Sequence, residues 1–440
     1  MRCASRRPDS SPRGPNGPRR ERGGRWVKLS DGQIVAFVTA LVAVAQLSTS
    51  IYLPSMPAMT LEFGTDPATM QLTFTVYMLG AAVAQLVIGP LSDRFGRKPV
   101  LLVGLVIYVV ATFAAVLAHS IEVLILARLV QSIGATTRPV MGRAIVRDRF
   151  DRARGAQVLA NVGLALALSP AIAPLIGAVV HDAAGWQANF LLIGVFGIVT
   201  LLVSFRWLEE TNQARLAGAG PAALALNFAK LLTSRVFLAY ALSSSLMFGA
   251  MFAFFSEGPF VFIDVLGTTP TGYALYSALS VVGFAAGSYV TGRATMRVGL
   301  DRMIVLGIGA ALAGVVLLLA LAFGGVTTPF AIIAPMTVFV FGIALVFPNG
   351  AAGALGVHPE IAGTASALLG FLQMGTAALA TLAAGRLSDG TQMPMVGVIA
   401  AWAALGALSF GLRYGRARPS PLPADVPASA SVPRRDPPPQ

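Results

Sequence analysis

Three charged side chains stand inside long apolar stretches of this chain: Arg128 and Arg138 in one, Glu257 in another. An arginine in the hydrocarbon region costs at least about 2.5 kcal/mol unless it faces a cavity or a partner. Gln131 lies one helical turn beyond Arg128 and shares its face. Arg138 precedes Pro139, which frees a backbone carbonyl one turn earlier. Its guanidinium either snorkels toward water or adds a second positive charge to the inner half of a cavity. Glu257 is followed by Gly258-Pro259, which loosens a helix and suits a site facing a cavity. The other acidic residues fall in tails, loops or near the ends of apolar stretches. The chemistry available is therefore the uptake and release of a proton, or the holding of a charged group. At Glu257 the alternative is a carboxylate near the boundary that binds water or pairs with a neighbour.

Little else resembles catalytic machinery. His119, His181 and His358 sit at the ends of apolar stretches, and no His/Glu spacing suits a metal. Cys3 is the single cysteine, which excludes an internal disulfide and a cysteine-based metal site. No cofactor is implied, and an enzyme is not expected. A membrane sensor would need a folded soluble domain, which neither tail supplies.

The elements that must carry these residues follow from composition. Of 440 residues, 55% are hydrophobic and 12% charged, against about 25% charged in soluble domains. The mean hydropathy is +0.73. A helix needs about 20 apolar residues to span a bilayer. Such stretches lie near 33–56, 70–91, 99–120, 122–146, 156–180, 186–206, 236–264, 271–292, 303–324, 328–349, 362–384 and 393–413. The alternation of a β-barrel is absent. The expected fold is an all-α polytopic membrane protein of twelve transmembrane helices in two six-helix halves.

The formal charge of +13 reports topology rather than nucleic acid. With both termini inside, the basic residues fall in cytoplasmic turns and tails, apart from Arg128, Arg138 and Arg386, as the positive-inside rule requires. The chain divides into a basic, disordered cytoplasmic tail (1–30), a first half (31–208), a cytoplasmic linker (209–235), a second half (236–415) and a Pro/Ala/Ser-rich disordered tail (416–440). The linker breaks the hydrophobic pattern. An internal repeat supports the division: Gly89, Arg94 and Gly96 recur at a constant offset as Gly292, Arg297 and Gly299. In the loop from Gly89 to Lys98 the two glycines suit a tight turn and close backbone approach. Arg97 and Lys98 anchor the inner interface, and Pro99 suits a first helical turn.

Gly89-Pro90-Leu91-Ser92-Asp93-Arg94-Phe95-Gly96-Arg97-Lys98 resembles the signature loop of the major facilitator superfamily. The resemblance implies that Asp93 and Arg94 join an inter-helix charge network that closes the cytoplasmic side in the outward-facing state. Arg128-Leu129-Val130-Gln131-Ser132-Ile133-Gly134 looks like the fourth-span motif, whose arginine serves proton coupling. The fifth span carries Gly163, Pro170, Pro174 and Gly177, and resembles the motif associated with antiporters. Tyr52 to Pro57, Arg143 to Asp148, Ser256 to Phe260 and Ala362 to Gly370 look like the Bcr/CflA drug-efflux group. One departure bears on mechanism. That group commonly has an aspartate just before the first-span Tyr-Leu-Pro run, where this chain has Ser50, so proton carriage passes to Glu257. The resemblance implies a monomeric, proton-coupled exporter of small amphiphilic drugs in the bacterial inner membrane, with a cavity including Tyr52, Gln85, Gln131, Phe254 and Asn349. A dedicated exporter of a sugar or amino-acid derivative is the alternative.

Overall fold

A computed structural model describes residues 30–212 and 221–414, except for the side chains of 152–153, 156, 159–168, 170–171, 221 and 413–414. The elements are α1 (Asp31–Ser50), α2 (Met56–Glu62), α3 (Pro67–Phe95), α4 (Arg97–Val116), α5 (Ile121–Arg149), α6 (Arg152–Ala184), α7 (Trp186–Trp207), α8 (Pro221–Thr233), α9 (Arg235–Phe260), α10 (Pro270–Val298), α11 (Leu300–Phe323), α12 (Pro329–Val357), α13 (Ala362–Leu387) and α14 (Met393–Tyr414). A single helical turn, Leu53–Ser55, joins α1 to α2, so the two count as one span. The described elements are all helical. Six spans precede the short helix α8 and six follow it.

Helix starts are written in the sequence. Ser30 and Gln33 form a reciprocal capping box on α1. Asp66, Thr269 and Thr328 cap α3, α10 and α12, each followed by a proline that suits the first turn. Gly96 and Gly299, at φ 102° and 89°, end α3 and α10. These are equivalent positions of the internal repeat, and a positive φ favours glycine there.

Ten spans are long and apolar enough to cross a bilayer by composition alone. Of the other two long helices, α5 is the least apolar, with Arg128, Gln131 and Arg138 in its middle, and α6 is described only in part. The spans alternate between two ends. One end is basic, with Arg97, Lys98, Arg149, Arg206, Arg235 and Arg297 at helix termini; the other collects Glu62, Asp66, Glu122, Asp182, Asp264 and Asp389.

Two helix pairs make the main contact between the halves, α3 with α13 and α6 with α10, and α9 also touches α2 and α3. Hydrogen bonds between the halves, among the described residues, lie toward the acidic end. Thr75 meets Thr381 at 2.9 Å, Thr271 donates to Asp182 at 2.8 Å, and Gln71 bonds to both Ser256 and Glu257. Further along, Gln85 of α3 packs on Gly370 of α13, where a Cβ would collide with its amide.

The segment Gly89 to Phe95 corrects one expectation. It continues α3 as helix, and the turn is Gly96 alone. Ser92 Oγ donates to the Gly89 carbonyl at 2.8 Å, and a Cβ at Gly89 would meet nothing within 4 Å. Close backbone approach at Gly89 is therefore not a feature of this structure.

Candidate functional site

Arg128 is fully buried in the first half. Its guanidinium carbon lies 4.4 Å from the Tyr52 ring centroid, 4.1 Å from Tyr77 and 5.8 Å from Phe190. Cation–π attraction of this kind strengthens as water is removed. Arg128 Nη1 donates to the Ser48 carbonyl at 3.1 Å and to Gln131 Oε1 at 2.6 Å. Gln131 passes the chain on, donating to Thr112 at 2.7 Å. The Tyr52 hydroxyl is held by Thr73 at 3.0 Å. Thus α1, α3, α4, α5 and α7 together fix one cation.

Arg138 is also fully buried, so it does not snorkel to water. Its guanidinium stacks 3.8 Å from the Tyr108 ring centroid. Pro139 remains inside the continuous helix α5.

Glu257 occupies a different place. It sits on the last turn of α9 near the acidic end, 1% exposed. Gln71 of α3 donates to one carboxylate oxygen and Ser388, beyond α13, donates to the other at 2.7 Å. The second Gln71 polar atom accepts from Ser256 at 2.9 Å. Beyond Glu257 the helix widens: Leu266 N–H bonds to Val261 O at 3.0 Å, a one-residue-longer step than an α-turn. Glu257 also borders a cavity of about 330 Å³ shared with Asp66, Asp264, Ser388 and Thr391. Asp66 and Asp389 lie outside the spans, and hydrogen bonds from Thr69 and Thr391 hold their carboxyls below the usual range.

At the basic end the centre of the charge network is Arg97 rather than Arg94. Arg97 is 4% exposed. It pairs with Asp93 at 2.7 Å and Asp148 of α5 at 3.0 Å, and donates to Ser92 at 2.5 Å. Arg94 instead lies over the ring of Phe95. Glu210, just beyond α7, accepts from the backbone of Arg97 at 2.8 Å and of Lys98 at 3.2 Å. It thereby caps α4, whose N-cap Gly96 has no side chain to do so; a carboxylate suits the free N–H groups and dipole at a helix start. The Lys98 ammonium reaches Phe205 O at 3.1 Å. Among the described residues these partners belong to the first half or, in Glu210, to the start of the linker.

The expected cavity residues have the following neighbours among the described residues. Tyr52 and Gln131 belong to the Arg128 cluster. Gln85 lies on the α3–α13 seam. Phe254 is packed among Phe255 and Phe262. Asn349 ties α12 to α10, accepting from Thr295 at 3.2 Å while donating to Leu345 O at 2.7 Å. Pro174 and Gly177 are buried in α6, and a Cβ at Gly177 would overlap the Ile51 carbonyl oxygen. The side-chain environments of Gly163 and Pro170 lie outside the described residues. Sequence reasoning missed Gln71, Tyr77, Tyr108 and Glu210, because each acts through a partner on another helix.

Two six-helix halves, joined by α8 and meeting along two helix pairs, define a polytopic membrane protein of the two-half transporter architecture. The profile described as Major Facilitator Superfamily matches residues 38–381. The chain belongs to this superfamily. It is 33% identical to a chloramphenicol resistance protein of Pseudomonas aeruginosa, over 80% of this chain and 84% of that one. It is 32% identical to multidrug resistance protein D of Escherichia coli (strain K12), over 83% and 93%. Its fold matches a bacterial homolog of the human lysosomal transporter Spinster in an inward-facing and occupied conformation, with a TM-score of 0.69, 15% identity, and 89% and 99% coverage.

Proposed function

We infer that this protein exports small amphiphilic compounds, including antibiotics, across the bacterial inner membrane in exchange for protons. The resistance proteins it resembles support an efflux role. With both termini cytoplasmic, the acidic end faces outward, and the described closure there corresponds to an inward-facing state. Alternating access then consists of rocking the halves about the α3–α13 and α6–α10 seams. The protein works as a monomer.

The observation that carries proton coupling is the position of Glu257. Its carboxylate is buried on the seam and bonded across it to Gln71. Opening the acidic end separates these two residues and admits water to the carboxylate, so the movement that exposes the site also exposes the proton carrier. Arg128 sits on the same helix contact network, since Tyr77 and Gln71 of α3 are about 9 Å apart along the helix. Asp93, through Arg97, belongs to the gate at the opposite end.

Export by a pump-deficient host, measured with a panel of antibiotics and metabolites at matched protein level, tests the function. Susceptibility unchanged by expression across the panel would overturn it. Orientation is tested in a Cys3→Ser background with a single new cysteine. Asp66→Cys should react with an impermeant maleimide in intact cells and Asp151→Cys should not.

A further inference from the structure

Two guanidinium groups converge on one residue, Ser48. Arg128 Nη1 donates to its carbonyl at 3.1 Å, and Arg138 Nη2 reaches its hydroxyl at 3.5 Å. The two Cα atoms are separated by about 15 Å of helix axis, so the side chains extend toward each other along α5. Ser48 Oγ is itself 2.5 Å from the Tyr108 hydroxyl, beneath Arg138.

The faces of both groups are covered and their edges are not. Tyr52 and Tyr77 flank Arg128, and Tyr108 lies against Arg138. Yet Nε and Nη2 of Arg128, and Nε and Nη1 of Arg138, are buried without an acceptor among the described residues. Buried polar atoms are nearly always satisfied, and an N–H···π contact to an aromatic face is a weaker partner than an oxygen acceptor. Nor, among the described residues, is there a balancing charge beside them. The described acids of the first half sit in turns or in the end turns of helices, and Glu257 is engaged by Gln71 and Ser388. Two cations taken out of water together, with no carboxylate between them, form an incomplete electrostatic arrangement.

We propose that Arg128 and Arg138 form a buried receptor for one anionic group, a carboxylate or phosphate, held beside Ser48 between the guanidinium edges. The planar fork of arginine matches such oxygens bidentately, and each missing acceptor is supplied by the ligand. The proposal rests on the exporter reading for its biological use, where it names the substrate class: amphiphiles with an anionic head. The same chemistry also admits an inorganic anion as counter-ion.

Equilibrium binding to the purified full-length protein in zwitterionic lipid nanodiscs separates this proposal from transport. Radiolabelled benzoate is titrated at constant ionic strength, with benzamide, phosphate and chloride as competitors. Saturable binding is expected, displaced by unlabelled benzoate and not by the neutral benzamide. Arg138→Gln should weaken it at least tenfold, with partial recovery in Arg138→Lys, which keeps the charge and loses the fork. Displacement by phosphate or chloride at lower concentration than benzoate would assign the receptor to an inorganic ion. Absence of saturable binding to the wild type of both radiolabelled benzoate and, titrated separately, radiolabelled phosphate overturns the proposal, as does undiminished affinity in Arg138→Gln. Should Arg138→Gln fail to fold, the benzoate against benzamide comparison in the wild type and the Arg138→Lys affinity still decide. Binding without export would leave the receptor standing and remove the exporter reading alone.

Discussion

Gln71 of α3 donates its side-chain amide to the carboxylate of Glu257 on α9, so one hydrogen bond crosses the seam between the two halves. The glutamine is itself 1% exposed and fits against Gly385 of α13, where a Cβ would lie 3.1 Å from its oxygen. The three helices meet closely at this point because α13 presents a glycine. A buried carboxylate is thus placed on the surface that rocking of the halves would open.

Closure along this seam is testable by cross-linking. Thr75 and Thr381 place their hydroxyls 2.9 Å apart across the halves, and β-substituents that close allow a disulfide. In a Cys3→Ser background, Thr75→Cys with Thr381→Cys should cross-link under mild oxidant. Export of an accumulated dye should stop on oxidation and return with reductant. Oxidation without loss of export would mean that the seam stays closed throughout transport.

The fold was legible because its determinants are local: apolar runs, the capping Ser30, Asp66, Thr269 and Thr328, and the repeated Gly96 and Gly299. Arg128 was legible as an ionisable group in an apolar run. What escaped was nonlocal. Glu210 caps α4 from 113 positions away in sequence, and nothing in its own neighbourhood marks it. Gln71 reads as an ordinary polar residue near a span start until α9 is placed against it. Arg94 and Arg97 differ for a related reason. Arg97, one residue past the turn, is the one carried inward in this structure to meet α5.

That distinction predicts a difference between the two arginines on either side of Gly96. Removing one partner from a buried, hydrogen-bonded charge cluster costs about 3 kcal/mol or more, whereas exposed pairs are worth below about 1 kcal/mol. Arg97→Gln should lower the thermal midpoint in detergent markedly, and Arg94→Gln should leave it nearly unchanged. Asp93→Asn, at a side chain 46% exposed, should leave stability near wild type while abolishing net export, as a gate residue would. Equal destabilisation by the two arginine variants would remove Arg97 from the centre of the network.

Two helix glycines should respond oppositely to alanine. At Gly177 the added methyl overlaps the Ile51 carbonyl oxygen, and the obstacle is backbone that cannot rotate away. Gly177→Ala should therefore cost about 3 kcal/mol through separation of α6 from the end of α1. At Gly89 the site is open and helical, so Gly89→Ala should be neutral or stabilising by about 0.5 kcal/mol. Thermal unfolding of both variants in the same detergent checks the pair. A strong loss at Gly89 would point to close packing there in the other transport state.

The last expectation concerns the proton. If Glu257 carries it, Glu257→Gln should bind substrate yet release no protons on substrate addition in proteoliposomes, because glutamine keeps the size and the hydrogen-bonding reach without a titrating group. Gln71 provides the contrast. It positions the carboxylate and does not itself titrate, so Gln71→Ala should retain substrate-induced proton release while shifting its pH profile, since one donor to the carboxylate has been removed. A merely structural role for the pair would give parallel losses in both variants, tracking folded protein and leaving the profile of the remaining activity in place. Undiminished release by Glu257→Gln would rule out the carboxylate as carrier. Coupling would then pass to Arg128, whose hydrogen bonds run through Gln131 to Thr112 and not toward the seam.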